Sequence, residues 1–329
     1  MNKDTPLPPE FQPLQGKVSY IRKISENEWS SSCLYCGGEQ HQYGEYPDRF
    51  RLWRKSRVTG GPCAWCRRCG KVWTPGNSKL DTGTHARLQE ERKVYEEEKR
   101  TQQELAIEVL RKDKAWIRYN ELLNGTYREY YYMRGITDFF IDYWMLGYNP
   151  EKSIWDGEKF YNSPALTIPI FKPCEEEPYT IRNRLLAPID PGDKYRPEFK
   201  NLPSGVFIAE RDTMPHGKAI LIEGELKAMT TYITLDSLDY YVVGTPGKRP
   251  SHELFGILDN CEVVYLILDP DAFEKDTKTG VTAVRRMVDF FKDRARVIRL
   301  PGKIDDLILA GHLSQASLVS LIKSARRIK

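Results

Sequence analysis

The last third of the chain alternates short apolar strands with helices, and this alternation most restricts the fold. From about Lys218 the segments KAILIE, YYVVG, EVVYLIL and RVIRL have the composition of buried strands. The stretches between and after them, ELKAMTTYITL, SHELFGIL, VTAVRRMVDFFKDRA and SQASLVSLIKSARRI, are predicted helices. Strands joined through helices over short connections predict a parallel sheet covered on both faces.

Acidic residues follow three strands of this predicted sheet. Glu223 comes directly after KAILI, Asp269 and Asp271 follow VVYLIL, and Asp305 and Asp306 follow RVIRLPGK. Asp269 and Asp271 lie two positions apart, so on an extended chain both point the same way. The carboxyl ends of parallel strands meet at one edge, where open α/β sheets bind their ligands. Oxygen ligands without His or Cys are typical of Mg²⁺. The alternative interpretation is a set of acidic loops.

A second cluster consists of cysteines. Of seven cysteines, five lie in CLYCGG (33–38) and CAWCRRCG (63–70), and paired CxxC knuckles followed by glycine are typical of a zinc ribbon. CRRCG repeats the CxxCG form of CLYCGG, so the predicted ligands are Cys33, Cys36, Cys66 and Cys69. A shift of the second knuckle to Cys63 and Cys66 stays open, and His41 is a weaker candidate. Four thiolates leave no position for water, so this zinc would be structural.

The segment between the knuckles, DRFRLWRKSRV, alternates basic residues with large apolar ones. On a strand, Arg49, Arg51 and Arg54 are expected to meet phosphates and Trp53 to stack on a base. The alternative is a solvated strand face. The formal net charge of +4 permits a nucleic-acid partner without requiring one.

Length and composition indicate a multidomain protein. A chain of 329 residues is longer than one core usually fills. The mean hydropathy is −0.57, no apolar run is long enough to span a bilayer, and the N-terminal residues do not resemble a signal peptide. We therefore expect a cytoplasmic protein with no membrane partner.

The acidic segments resemble a known family. ILIEGELKAMT, LILDPDA and LPGKIDDLI look like the three acidic motifs of the Toprim domain. Upstream, YYMRGITDFFIDYWMLGYNP is similar to the segment that opens the RNA-polymerase domain of DnaG-type primases, and LTIPIF, YTIRNRLL and KYRPEFKNLPSG follow in that family's order. With the zinc ribbon in front, the resemblance covers nearly the whole chain.

The resemblance implies roles for individual residues. Glu223, Asp269 and Asp271 match the family's catalytic acids, with Asp269 and Asp271 as ligands of Mg²⁺ (or Mn²⁺). Glu223 is either a further ligand or a group that helps to deprotonate the primer's 3′-hydroxyl. Asp305 and Asp306 match the third acidic stretch, where one of the pair would bind another Mg²⁺ or help to hold a metal-bound nucleotide.

The basic residues are matched in the same way. Arg182, Arg184 and Lys200 fall where the family holds template or nucleoside triphosphate, with a solvated strand as the alternative. At Lys227 many bacterial members carry an acid, so we expect this chain to lack one metal ligand there and to use the lysine to bind a phosphate. DPDA has proline where glycine is frequent between the two acids, which stiffens the turn.

The expected architecture is a small β zinc ribbon, a helical linker, an α+β basic subdomain and an α/β Toprim domain with a parallel sheet. The expected segments are a flexible tail (1–28), the zinc-ribbon DNA-recognition domain (29–78), a charged helical linker (79–115), the basic N-terminal subdomain of the RNA-polymerase domain (116–216) and the Toprim catalytic subdomain (217–329).

The resemblance implies a DNA primase of phage or mobile-element type. Its expected partners are single-stranded DNA, ribonucleoside triphosphates and a separate replicative helicase. A fused helicase is not expected, because VVGTPGKRP does not complete a phosphate-binding loop. With Gly247 as its second glycine, such a loop needs a first glycine where the chain has Val242, and Ser or Thr where it has Arg249. The alternative function is a zinc-ribbon and Toprim recombination mediator without polymerase activity. A Toprim nuclease or topoisomerase is a third class; a topoisomerase needs a nucleophilic tyrosine on a further domain, which we do not expect after this sheet.

Overall fold

The structure is a computed structural model of the 329-residue chain. It describes residues 8–18, 21–35, 50–55, 61–66, 71–75, 82–155, 159–188, 194–236, 239–247, 250, 252–275 and 281–326. The chain forms two compact units. Unit 1 comprises residues 1–98 with 275–281, and unit 2 comprises residues 99–274 with 282–329.

Unit 1 contains a five-stranded antiparallel sheet whose strands follow chain order. The strands are β1 (Ile21–Ser25), β2 (Glu28–Ser31), β3 (Phe50–Trp53), β4 (Cys63–Cys66) and β5 (Val72–Trp73). Phe50 and Leu52 of β3 are fully buried, and the 3₁₀ helix Pro9–Leu14 adds Phe11 and Leu14 to the same core. The two-residue alternation of β3 therefore directs Arg51 and Trp53 to the other face.

A long helix, α1 (Thr82–Asp113), follows this sheet and covers the segment for which the sequence predicts a charged helix. Residues 93–100 of α1 are exposed, and six of these eight residues are charged. Within the described residues, no helix is both long and apolar enough to cross a membrane.

Unit 2 begins with three short helices and a four-stranded antiparallel sheet. The helices are α2 (Ala115–Glu121), α3 (Gly125–Tyr132) and α4 (Asp138–Tyr143). The strands are β6 (Gly147–Trp155), β7 (Phe160–Ile170), β8 (Thr180–Leu185) and β9 (Tyr195–Pro197), in that order. Helix α2 approaches β6 so closely that a Cβ on Gly147 would lie 2.5 Å from the carbonyl carbon of Tyr119.

The rest of unit 2 is built on a five-stranded sheet of order β10-β12-β11-β13-β14. Its strands are β10 (Phe207–Ile208), β11 (Gly217–Glu223), β12 (Tyr241–Thr245), β13 (Cys261–Ile267) and β14 (Ala295–Ile298). The pairs among β11 to β14 are parallel, and only β10 pairs antiparallel, at the edge. The predicted parallel sheet is therefore present, with one added edge strand.

Helices cover both faces of this sheet: α5 (Glu225–Leu235), α6 (Ala283–Phe291), α7 (Ile304–Leu309) and α8 (Gln315–Ser324). Ile220 and Ile222 of β11 belong to a core with Met229 of α5, whereas Leu221 belongs to a second core with Phe291 of α6. Because β11 is buried on both sides, its sequence is a continuous apolar run that ends only at Glu223.

One predicted helix has a different form. SHELFGIL contains a 3₁₀ helix, His252–Leu258, and Ser251, the predicted N-cap, lies outside the described residues. The segment is short and contains Gly256, a poor helix former, and short segments favour the tighter helix.

Candidate active site

Three carboxylates come together at the carboxyl edge of the parallel sheet. Glu223 is the last residue of β11, and Asp269 and Asp271 follow the neighbouring strand β13. One carboxylate oxygen from each residue lies within 4.8 Å of those of the other two. Glu223 and Asp269 are partly buried and Asp271 is exposed, so solvent can reach the group. Oxygen donors this close together fit a hard divalent cation such as Mg²⁺.

The chain turns between Asp269 and Asp271 instead of staying extended. Asp269 has φ −58° and ψ 153°, and the 3₁₀ helix Pro270–Phe273 starts directly after it. The backbone N–H of Ala272 donates a hydrogen bond to the carbonyl of Asp269, at 3.0 Å. Pro270 has the fixed φ that suits the first position of such a turn. The two acids thus meet through a turn, not through the alternation of a strand.

The turn after Glu223 depends on glycine. Gly224 has φ +95°, and its N–H donates to the carbonyl of Thr245 at 2.9 Å. A Cβ on Gly244 in β12 would lie 2.8 Å from the carbonyl oxygen of Gly224. Two glycines therefore allow β12 to lie against the turn that positions Glu223.

We expect Gly224→Ala to lower the free energy of unfolding by about 1–3 kcal/mol, because almost only glycine adopts an extended backbone with positive φ. Urea unfolding of the full chain measures the change. The matched control is Gly302→Ala, where a Cβ would meet only ordinary contacts at 3.7 Å and the φ is not positive. Equal stabilities of the two variants would contradict the assignment of strain to Gly224.

A lysine lies within the acidic group. The Nζ of Lys227, on the first turns of α5, donates to Oδ2 of Asp269 at 2.5 Å. The two side chains are only 15% and 13% exposed. The lysine for which the sequence predicts a phosphate contact is therefore already the partner of one of the predicted metal ligands.

Asp305 and Asp306 lie in the first turn of α7, not at the end of a strand, and they are not part of the group of three. Asp305 is 9% exposed, and its Oδ1 has no hydrogen-bond partner among the described residues. Burial raises the pKa of Asp305, the charge of Asp306 adds to the rise, and the charge of Lys227 opposes it. Asp306 is exposed. Asp305 is therefore a buried carboxyl near Lys227 with an oxygen available to a ligand.

Arg182 of β8 contacts the first residue of α5. Its Nη1 donates to Oε1 of Glu225, and its Nη2 donates to the carbonyl of Pro246 at 3.3 Å. Glu225 is 1% exposed, and the Arg182 side chain is 15% exposed. Burial raises the pKa of Glu225, and the adjacent guanidinium opposes that rise. Arg182 thus neutralises a buried acid two residues from Glu223.

Arginines and tyrosines alternate beside this ion pair, and we call the set the arginine–tyrosine stack. Its members are Arg134, Tyr130, Arg184, Tyr195 and Arg182. The distances from guanidinium carbon to ring centroid along it are 4.0 Å, 5.4 Å, 5.5 Å and 4.7 Å. The Nη1 of Arg184 also donates to the hydroxyl of Tyr195 at 2.9 Å. Cation–π contacts of this kind hold guanidinium groups in fixed orientations.

The remaining predicted nucleic-acid contacts are spread over both units. In unit 1, Arg51 donates to Glu28 at 2.8 Å, Arg54 forms an ion pair with Glu10 at 2.7 Å, and Trp53 is partly exposed. In unit 2, Lys200 is exposed between β9 and β10. Arg49 lies outside the described residues.

Among the predicted zinc ligands, the structure describes Cys33 and Cys66, whereas Cys36, Cys69 and the weaker candidate His41 lie outside the described residues. Cys33 and Cys66 are buried in the same core cluster. The backbone N–H of Tyr35 donates to the Sγ of Cys33 at 3.3 Å, a contact that favours a thiolate. The zinc ligand set therefore stays a prediction, and two of its four members lie in one core.

Cys63 has a different place on the same strand. Cys63 and Cys66 are three positions apart on β4, so their side chains leave opposite faces. Cys63 is buried, yet it does not belong to the cluster of Cys33 and Cys66. The geometry favours Cys66 with Cys33 over a knuckle formed by Cys63 and Cys66.

Two features of the site were not predicted from the sequence. The first is Glu225 as the buried partner of Arg182, although its position two residues after Glu223 is a local signal. The second is the pairing of Tyr130 and Tyr195 with arginines, which no spacing indicates because the members come from separate elements.

The sequence matches no protein family and no curated protein. The fold, in contrast, is similar to solved primase structures. One is the Aquifex aeolicus primase with its zinc-binding and RNA polymerase domains: the TM-score is 0.51 and the identity 17%, over 94% of this chain and 81% of that chain.

A DnaG primase catalytic domain bound to single-stranded DNA has a TM-score of 0.50 and 15% identity, over 70% of this chain and 83% of that chain. The E. coli primase catalytic core has a TM-score of 0.50 and 16% identity, over 65% of this chain and 78% of that chain. At such low identities the likeness concerns the fold. The chain therefore has the fold of DnaG primase catalytic domains.

Proposed function

We propose that the chain is a DNA primase that synthesises short RNA primers on single-stranded DNA templates, for DNA replication. The observation that carries this proposal is the group of Glu223, Asp269 and Asp271 at the carboxyl edge of a parallel sheet. The likeness of the fold to primase catalytic domains supports it.

Glu223, Asp269 and Asp271 are the proposed ligands of Mg²⁺ (or Mn²⁺), and Asp305 or Asp306 would bind a further ion or help to hold a metal-bound nucleotide. The donors fit, because all are carboxylate oxygens and a buried oxygen of Asp305 has no partner among the described residues. When bound, the ion supplies neutralisation of phosphate charge and a lowered pKa of the attacking hydroxyl.

In the proposed reaction, the primer's 3′-oxygen bonds to the α-phosphorus of the incoming ribonucleotide while the bond to pyrophosphate breaks. The proton of the 3′-hydroxyl goes to Glu223 or, where Glu223 would instead hold the ion, to solvent water. The acids fix positions and charges, and no covalent enzyme intermediate is needed.

The basic residues differ in whether their charges already have a partner in the structure. Lys200 is exposed and is the proposed direct contact to template or nucleotide. Arg182 and Arg184 are proposed to do the same, but a phosphate that approaches Arg182 competes with Glu225 for its guanidinium. Lys227 is the proposed contact to a phosphate when Asp269 binds the metal ion and no longer pairs with the lysine.

For unit 1 we propose a structural zinc ribbon, held by Cys33, Cys36, Cys66 and Cys69, that recognises a start site on single-stranded DNA. Arg49, Arg51, Trp53 and Arg54 are its proposed DNA contacts. Support comes from the shared burial of Cys33 and Cys66 and from the antiparallel sheet around them. A separate helicase is the proposed partner, as expected for a phage or mobile-element primase.

We expect Cys66→Ser to remove the zinc and to unfold unit 1, because zinc sites of this kind supply much of the folding free energy of small domains. Metal analysis should find one zinc per wild-type chain and almost none in the variant, with a loss of the near-ultraviolet signal of Trp29 and Trp73. Cys63→Ser is the matched control and should retain the zinc. If Cys63→Ser lost the zinc and Cys66→Ser retained it, the ligand would be Cys63 and not Cys66.

The test of the proposed function is incorporation of labelled ribonucleotides on single-stranded DNA templates of varied sequence, with Mg²⁺. Short products that ribonuclease destroys are the expected result. No product on any template, with or without added helicase, combined with retained DNA binding, would overturn the proposal and favour the recombination mediator.

A further inference from the structure

Lys227 places a positive charge against Asp269 of the acidic site. The ammonium lies 2.5 Å from Oδ2 of Asp269, and both side chains are mostly buried. A charge-assisted hydrogen bond in such surroundings is strong and takes one of the two carboxylate oxygens. Asp269 is at the same time one of the three acids whose oxygens lie within 4.8 Å of one another.

The surroundings of Lys227 are otherwise acidic. Glu223 and Asp271 complete the group of three, and Asp305 is close enough for the charge of Lys227 to act on it. Packed carboxylates repel one another unless a proton or a cation lies between them. A lysine ammonium is a compact point charge on a flexible stem, so it can take the place of a small cation.

We propose that Lys227 is a tethered cation that occupies part of the acidic site and competes with divalent ions for Asp269. The chain would accordingly bind a divalent ion less tightly than its carboxylates alone would. This inference rests on the proposed metal-binding role of the acids. It assigns Lys227 a regulatory effect on metal affinity in addition to the proposed phosphate contact.

The test is titration of the full-length chain with Mn²⁺, with free Mn²⁺ followed by electron paramagnetic resonance. Lys227→Met should bind Mn²⁺ at least about tenfold more tightly than wild type, comparable to the effect of one neighbouring charge on the proton affinity of a carboxyl. The matched control is Lys172→Met, which removes an exposed lysine 3.6 Å from Glu175 and should leave the affinity unchanged.

A second readout is thermal stability. Adding Mn²⁺ should raise the melting temperature of Lys227→Met by more than it raises that of wild type, because a ligand stabilises according to its affinity for the folded state. Lys227→Gln should behave in the same way, and both measurements can be made on it if Lys227→Met does not fold. Wild-type or weaker Mn²⁺ affinity in a folded Lys227 variant would overturn the inference.

The Asp269→Asn variant separates this inference from the proposed metal site. Loss of Mn²⁺ binding in Asp269→Asn places the ion at the acids, and the comparison with Lys227→Met then decides the role of the lysine. Mn²⁺ binding that survives in Asp269→Asn would overturn the proposed metal site itself.

Discussion

Replacement of Asp269 and Asp271 by asparagine is expected to reduce primer synthesis at least about a thousandfold, which corresponds to about 4 kcal/mol of activation free energy. Asparagine keeps the shape of each side chain but removes two of the three charges within 4.8 Å of one another. Without those charges the site loses its electrostatic affinity for a divalent ion and for the developing charge on the phosphate. Single-turnover incorporation of labelled ribonucleotides measures the loss.

A matched control distinguishes catalysis from general effects of charge. Asp289→Asn removes an exposed acid of the same unit, 2.8 Å from Arg285 on α6, and should leave synthesis unchanged. The double variant should remain folded, because Asp271 is exposed and the amide oxygen introduced at position 269 can still accept a hydrogen bond from Lys227. Wild-type synthesis by a folded double variant would contradict the assignment of the acids to catalysis.

The second large effect is expected at the buried ion pair between β8 and α5. We expect Arg182→Met to lower the free energy of unfolding by about 3 kcal/mol at neutral pH, because it leaves the buried Glu225 without the guanidinium that is hydrogen-bonded to it. Glu225 is 1% exposed, so water cannot replace the guanidinium. Chemical denaturation measures the change. The double variant Arg182→Met with Glu225→Gln removes both charges and should recover most of the stability.

The loss in Arg182→Met should depend on pH in a defined direction. Burial raises the pKa of Glu225 and Arg182 opposes the rise, so removing Arg182 raises this pKa further. The folded variant then binds a proton more tightly than the unfolded chain does, whose glutamates titrate near about 4.3. Its stability is retained below that value and is lost as pH rises through the raised folded-state pKa. An equal loss at pH 5 and pH 8 would contradict this account.

The sequence predicted those parts of the fold that depend on local pattern. The apolar runs KAILIE and EVVYLIL form the strands β11 and β13, and the predicted helix VTAVRRMVDFFKDRA contains α6, which packs Val284, Met287 and Phe291 into a core. The acids at the ends of two neighbouring strands were foreseeable for the same reason, because parallel strands bring their carboxyl ends to one edge. The turn at Pro270 replaced the expected extended arrangement without separating the two aspartates.

The contacts of the basic side chains were not predictable in this way. Arg182 and Arg184 alternate on β8 as residues on a solvated face do, but Arg182 contacts Glu225 of α5 and Arg184 contacts Tyr195 of β9. Such contacts depend on how separate elements pack. The contact of Lys227 was unpredictable for the same reason, since its partner Asp269 lies 42 residues further along the chain.

The most direct test of the acidic site is to map the bound ion on the full-length chain by replacing Mg²⁺ with Fe²⁺ and generating hydroxyl radicals, which cleave the backbone near the metal. We expect cleavage near Glu223 and between Asp269 and Asp271, suppressed by excess Mg²⁺ and absent from the Asp269→Asn, Asp271→Asn variant. Cleavage confined to other segments, or unchanged in that variant, would contradict the claim that the sheet edge holds the ion.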